Sequence, residues 1–248
     1  MNEKIAILMP TRMRPDRLSS FWKSVVSTVS DINNVKLYLY IDDDDSKTIE
    51  RAEELKEEHG DRIFTLVNPR IIMSQMVNEL YPHVEEDILF FGADDLLMRT
   101  PDWDKVIIEF FSSVPDRIAL VYGNDMAQTE RMHLSDPNRF ATHPIVHKNW
   151  VKALGYLSPP YFSCDYADTW INDLANGVGR SFPLPFVNEH MHFTVKKSKM
   201  DQTYLENRQR FNRDRVPAIY REKQGELQGD ILKLSSFIRS FSEESVHE

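Results

Sequence analysis

One cysteine, Cys164, is all that the 248 residues contain. No intrachain disulfide can form, and a reducing compartment is the expected setting. Long apolar runs are missing too, since no stretch approaches the ~20 residues that a membrane-spanning helix needs. The apolar run in MNEKIAILMPTR is too short for a signal-peptide core, and no small-residue cleavage site follows it. A cytoplasmic chain without a membrane span is expected. Basic residues are outnumbered, 30 Lys and Arg against 39 Asp and Glu, for a net charge of −9. That balance speaks against broad, non-specific nucleic-acid binding, though a local basic groove remains open. Apolar residues at 41% and charged residues at 28% are ordinary globular usage. Such a chain can bury a full core as one large α/β domain, or as a domain with a tail.

Strand-like and helix-like segments alternate through the first two thirds. Residues 4–9 form a short apolar run that reads as a buried strand. Pro15 sits where a helix can begin, and Leu18, Phe21, Trp22, Val25, Val26 and Val29 follow at helical spacing. Residues 36–41 read as a second strand. Asp45 or Ser46 can cap the next helix, which Gly60 ends. Further strands are expected over 62–67, 87–91 and 117–122, with helices around Met73–Tyr81 and Trp103–Phe111 between them. Residues 124–140 lack periodicity and read as a long loop. Residues 143–147 read as a strand, 150–155 as a short helix, 165–176 as another helix, and 181–187 and 191–195 as extended. From residue 201 the chain is charged and helix-prone. The fold class expected is α/β, with a mostly parallel sheet flanked by helices. Residues 1–200 form its main domain and 201–248 a helical extension packed on it.

In such sheets ligands bind beyond the carboxyl ends of the strands. Three polar segments stand there. ILFFGADDLL puts Asp94 and Asp95 after an apolar strand, where carboxylates can hold a hard divalent cation such as Mg²⁺ or Mn²⁺. The plainer role for that pair is to cap a turn. The run Asp42–Asp45 follows the second strand; Asp44 and Asp45 suit a helix start, whereas Asp42 sits where it could accept a hydrogen bond from a base or a ribose. PTRMRPDR brings Thr11, Arg12, Arg14 and Arg17 to a helix N-terminus, a setting that suits phosphate. It has no glycine, which argues against a P-loop or a Rossmann dinucleotide site. In NEHMHF, His190 and His192 are two apart and would share one strand face, where one or both can ligate a metal. Asp165 and Asp168 begin a helix, as caps or as a general base toward an acceptor hydroxyl.

The segments IAILMPTRMRPDRL, LYLYIDDDD, NPRIIMSQMVNEL, ILFFGADDLLMRTPDWDKV and YADTWINDLANGVGR, with EHMH followed by Asp201, together resemble the family 2-like glycosyltransferases of the GT-A fold. The closest likeness is to the short stand-alone forms of bacteria and phages. The resemblance spans roughly residues 4–205. It implies a nucleoside-diphosphate sugar donor such as a UDP-sugar, a divalent metal (Mn²⁺ or Mg²⁺) and inversion at the anomeric carbon. It places Pro10, Thr11, Arg12 and Asp42 at the nucleotide edge and Arg70, Ser74 and Asn78 beside it. It also puts Asp94 on the metal, Asp168 as the acceptor-side base, and His190 or His192 near the metal. The family's usual Asp-x-Asp has Gly92 at its first position here. Three other readings stay open: glycosylation of modified DNA bases, to which basic residues of the tail (Lys196, Lys197, Lys199, Arg208, Arg210, Arg213, Arg215) could contribute; a nucleotidyltransferase; and a non-catalytic sugar-nucleotide-binding module. The acceptor (glycan, small molecule or modified DNA) is not legible.

Overall fold

The computed structural model describes residues 3–126, 141–162, 165–210 and 215–244, the side chains of 207–210 and 242–244 excepted. Cys164, Arg213, most of the loop expected at 124–140, and the side chains of Arg208 and Arg210 lie outside the described residues.

The chain runs β1 (Ile5–Thr11), α1 (Pro15–Thr28), β2 (Val35–Asp42), α2 (Ser46–His59), β3 (Ile63–Asn68), α3 (Met73–Leu80), β4 (Ile88–Phe91), β5 (Leu96–Met98), α4 (Trp103–Ser113) and β6 (Leu120–Asp125). It continues β7 (Ile145–His147), α5 (Lys148–Leu154), α6 (Ala167–Gly177), β8 (Ser181–His190), α7 (Gln202–Arg210), α8 (Val216–Glu222) and α9 (Gln224–Glu244). The eight strands form one sheet in the order β3-β2-β1-β4-β7-β6-β8-β5.

Period-two alternation builds the two faces of this sheet. Ile5, Ile7 and Met9 of β1, with Leu37, Leu39 and Ile41 of β2, face the core made with α1, α2 and α4. Ala6, Leu8, Tyr38 and Tyr40 face the opposite core, which takes in α3, α5, α6 and α9. Trp22, Trp103, Trp150 and Trp170 are all fully buried. The long last helix sends Leu227 and Leu234 into the second core. Its Asp230 accepts a hydrogen bond of 2.6 Å from Tyr156, which in turn accepts one of 3.0 Å from Trp170.

Four departures from the sequence reading matter for the site. First, β1 extends to Thr11, so Pro10 and Thr11 belong to the strand. Pairing of β1 with β4 has already ended at Leu8, so the missing N–H of Pro10 costs no ladder bond on that side. Second, the sheet is parallel through β3, β2, β1 and β4, but β7 runs antiparallel to both β4 and β6. The N-terminal end of β7 therefore lies with the carboxyl ends of β4 and β6. Third, Leu96–Met98 is a strand that pairs antiparallel with Asn188, Glu189 and His190 of β8. Fourth, β8 runs through to His190, and Phe193–Val195 is a 3₁₀ turn rather than a strand.

Candidate active site

A cavity of about 330 Å³ opens at the carboxyl edge of the sheet. The ends of β1, β2, β4 and β8 and the first turn of α7 wall it. Its residues fall into three groups along the wall.

At one end Asp42, the last residue of β2, is buried. Its Oδ2 accepts from Arg12 at 3.0 Å and lies 3.4 Å from Nε of Arg70, while its buried Oδ1 has no hydrogen-bond partner. Burial lifts this carboxyl above its ordinary range, against the pull of the two guanidiniums. Arg12 also grips Asp44, and both Arg12 (3.3 Å) and Arg70 (2.5 Å) meet Glu206 of α7. Asp45 has a different task. It caps α2 by accepting from the Thr48 N–H at 3.2 Å, and it accepts from the Met13 N–H at 2.5 Å.

In the middle sit Asp94 and Asp95, both buried. Asp94 accepts from Thr11 Oγ1 and from Arg14, each at 2.9 Å. Arg14 heads α1 without capping it. Its guanidinium instead makes a fork of 2.8 and 2.9 Å on Asp201 and lies 4.0 Å above the Tyr204 ring. Asp95 accepts from Tyr204 at 2.5 Å and stands 3.3 Å from Nε2 of His190 and 3.8 Å from Arg17. The two neighbours are driven apart in acidity. Burial, with Asp95 beside it, pushes Asp94 up to about 6. For Asp95 burial acts in the same direction, but His190, Tyr204 and Arg14 outweigh it and hold the carboxyl well below the usual range. Gly92 follows β4 with its Cα close against β1: a Cβ there would come 2.6 Å from Ile7 Cγ2. The position that resembles a metal-binding aspartate thus has no room for one.

At the other end are the histidines and the helix-start carboxylates. His190 and His192 have ring centres 5.0 Å apart, but they do not share a strand face: His192 lies beyond β8, where it caps the 3₁₀ turn through Nδ1. His143, just before β7, meets His190 edge-on at 4.8 Å. Burial, then the neighbouring His190, pushes its imidazole down to about 4, so the ring is neutral. Asp165 lines the cavity. Asp168 stands one turn on, half-buried and outside the lining, accepting from the Thr169 N–H at 2.8 Å. Burial, with Asp165 adding to it, raises Asp168 to about 6. The turn between them places Tyr166 at φ 71°, a left-handed conformation uncommon for a bulky side chain.

Of the residues singled out from sequence, Pro10, Thr11, Arg12, Arg14, Asp42, Arg70, Asp94, Asp95, Asp165, His190 and His192 meet on this one cavity. Ser74 and Asn78 do not line it. Ser74 donates to the Phe162 carbonyl, and Asn78 pins Leu157 and Ser158 through three bonds of 2.8 to 3.0 Å. Both sit on α3, and their polar groups fix the segment leading toward α6 instead of facing the nucleotide edge. Sequence reasoning missed Asp125, His143, Tyr204 and Glu206. Asp201 stands out in the sequence only as part of a motif.

No protein-family model matches the sequence, and neither does any curated protein. Solved structures do match in shape. The mannosyltransferase PcManGT from Pyrobaculum calidifontis, in complex with GDP-Man and Mn²⁺, superposes with a TM-score of 0.62 at 9% identity, over 98% of this chain and 76% of that one. S. aureus TarS 1-349 in complex with UDP-GlcNAc gives 0.56 at 10%, over 82% and 64% of the two chains. TarS 1-349 alone gives 0.56 at 10%, over 93% and 80%. The fold is GT-A-like, the α/β architecture of nucleotide-sugar glycosyltransferases.

Proposed function

We propose that this chain transfers a sugar from a nucleoside-diphosphate sugar to an acceptor hydroxyl, with a divalent cation and with inversion. The observation that carries the reading is the order of groups along one cavity: a base- and phosphate-binding end, an acidic pair, then the helix-start carboxylate Asp165, with Asp168 one turn behind it. The unpartnered oxygen of Asp42 suits a base N–H or a ribose hydroxyl. Arg12, Arg70 and Arg14 have the forked geometry that binds diphosphate.

The acidic pair fits a hard cation, because Asp94 and Asp95 present carboxylate oxygens to the cavity, with His190 or His192 completing the set. When bound, the cation supplies positive charge to the leaving diphosphate. The chain's own contribution is to orient and to move one proton. The acceptor oxygen forms its bond to the anomeric carbon as the bond to the diphosphate breaks, and that electron pair leaves with the diphosphate. The acceptor proton passes to the Asp168 carboxylate. A base whose pKa lies near 6 is largely ionised at neutral pH and still basic enough to take a proton. In-line attack, with the acceptor oxygen entering opposite the leaving diphosphate, inverts the centre. The complexes of PcManGT with GDP-Man and Mn²⁺ and of TarS with UDP-GlcNAc support a nucleotide-sugar donor and a divalent metal.

The test is a screen of nucleotide sugars for thermal stabilisation, with Mn²⁺ and with EDTA, followed by donor hydrolysis. A true donor at 100 times its Kd stabilises by about 2.7 kcal/mol through mass action. The reading predicts one such donor whose effect depends on metal, and loss of hydrolysis in Asp94→Ala without loss of fold. Absence of any stabilising nucleotide sugar, or hydrolysis that persists in Asp94→Ala with EDTA, removes it.

A further inference from the structure

Three strand ends that are distant in sequence meet beside the acidic pair. Asp125 closes β6, His143 precedes β7 and His190 closes β8. One ligand atom from each lies within 4.8 Å of the other two. They are neighbours because β7 is reversed, which brings its N-terminal end to the carboxyl ends of the strands that flank it.

The surroundings arrange these groups as ligands. Asp125 is buried, with Oδ1 accepting from the His190 backbone N–H at 3.3 Å and Oδ2 from Thr142 Oγ1 at 3.0 Å. His190 turns its Nε2 to Asp95 at 3.3 Å and its Nδ1 to Asp125 at 3.9 Å. Asp95 is a carboxylate and can only accept, so Nε2 carries a hydrogen, and Nδ1 is the nitrogen that would offer its lone pair to an ion beside Asp125. A carboxylate behind an imidazole is the usual support of a histidine ligand. His143 presents a buried Nε2 with no hydrogen-bond partner. A buried ring nitrogen without a partner is a cost unless something meets it.

We infer that Asp125, His143 and His190 form a binding site for a divalent transition-metal ion, with Asp95 orienting His190 rather than ligating. Two imidazoles and one carboxylate select Zn²⁺, Co²⁺, Mn²⁺ or Fe²⁺ over Mg²⁺ and Ca²⁺, which prefer oxygen. Bonds of roughly 2.0–2.2 Å need ligand atoms about 3–3.5 Å apart, so the groups close by about 1 Å on the ion. The site needs no nucleotide; if it holds His190, then His192 is the histidine left to complete the set around Asp94 and Asp95. It ties β6, β7 and β8 together at the cavity edge and fixes the ring that holds Asp95.

Co²⁺ is the probe, because its visible absorption reports nitrogen ligation. The nucleotide-free protein is titrated with Co²⁺ while its absorption and thermal midpoint are followed. One equivalent is expected to bind, to raise the midpoint and to resist a large excess of Mg²⁺. His143→Gln and Asp125→Asn should each weaken Co²⁺ by at least about 10–100-fold, and Thr142→Val by about tenfold, while Asp94→Asn leaves it unchanged. If Asp125→Asn does not fold, His143→Gln carries the test, since the Nε2 it replaces makes no bond within the protein. Co²⁺ affinity untouched in His143→Gln, lost in Asp94→Asn, or abolished by equimolar Mg²⁺ overturns the site. So does an absence of Co²⁺ binding. None of those outcomes bears on nucleotide-sugar stabilisation, which is measured separately.

Discussion

At the scale of single residues, the base proposed at Asp168 would tie catalysis to stability. Its carboxyl is raised to about 6, so the folded chain holds that proton more tightly than the unfolded chain does. The sign follows from linkage: protonation favours the folded state, and this contribution is lost as pH rises from about 4 through about 6. Asp168→Asn cannot ionise. Its thermal midpoint should lie at or above that of the wild type at pH 8, with the two converging near pH 4. Its kcat should fall by about 10²–10⁴-fold, and wild-type kcat should itself decline below pH 6. A midpoint well below wild type at pH 8 would show that the carboxylate is structural. Gly92 gives a second expectation. Gly92→Asp rebuilds the Asp-x-Asp spelling, yet its Cβ meets Ile7 Cγ2 at 2.6 Å. The variant should lose about 1–3 kcal/mol in urea unfolding through overpacking, with no gain in metal affinity.

At the scale of elements, the first turn of α7 is the least expected part of the site. Asp201 holds Arg14 and Arg17, Tyr204 holds Asp95, Glu206 bridges Arg12 and Arg70, and Thr203 donates to the Arg12 carbonyl at 2.8 Å. Its acids occupy the cations that a diphosphate would use. Glu206→Gln should therefore tighten binding of a free nucleoside diphosphate several-fold in calorimetry, and the gain should shrink with added salt. Weaker binding would mean that Glu206 shapes the arginines for the ligand.

Why this was hidden, while β1 to β4 were legible, is physical. Those strands are short, mainly apolar runs, and β1 and β2 are each followed by a helix with a clear start, Pro15 or Asp45. Local pattern alone defines them. Tyr204 and Glu206 look like ordinary exposed positions of a polar helix, and only contact with Arg12 and Asp95 gives them a role. Leu96–Met98 is too short to read as a strand without its distant partner in β8. The direction of β7 is written in no local pattern, so neither His143 nor Asp125 could be placed beside His190. Ser74 and Asn78 sit on the right helix, but helical phase turns them toward the backbone of residues 157–162.

At the scale of the whole molecule, α9 anchors the second core. Leu234 is fully buried there, and among the described residues none of α9 lines the cavity. Leu234→Ala should cost about 2–5 kcal/mol in urea unfolding, while kcat measured well below the melting range stays at the wild-type value. A fall in kcat that tracks the stability loss would couple this helix to the cavity.

The pairing of β5 with β8 has a consequence for biosynthesis. Leu96, Leu97 and Met98 leave the ribosome long before Asn188, Glu189 and His190. Until then the edge next to Asp94 and Asp95 has nothing to zip against, and the nascent chain carries an unfinished sheet. The ladder that completes the sheet also delivers His190 to Asp95. A partly synthesised chain therefore holds neither the finished sheet nor the assembled pocket, and the two arrive together.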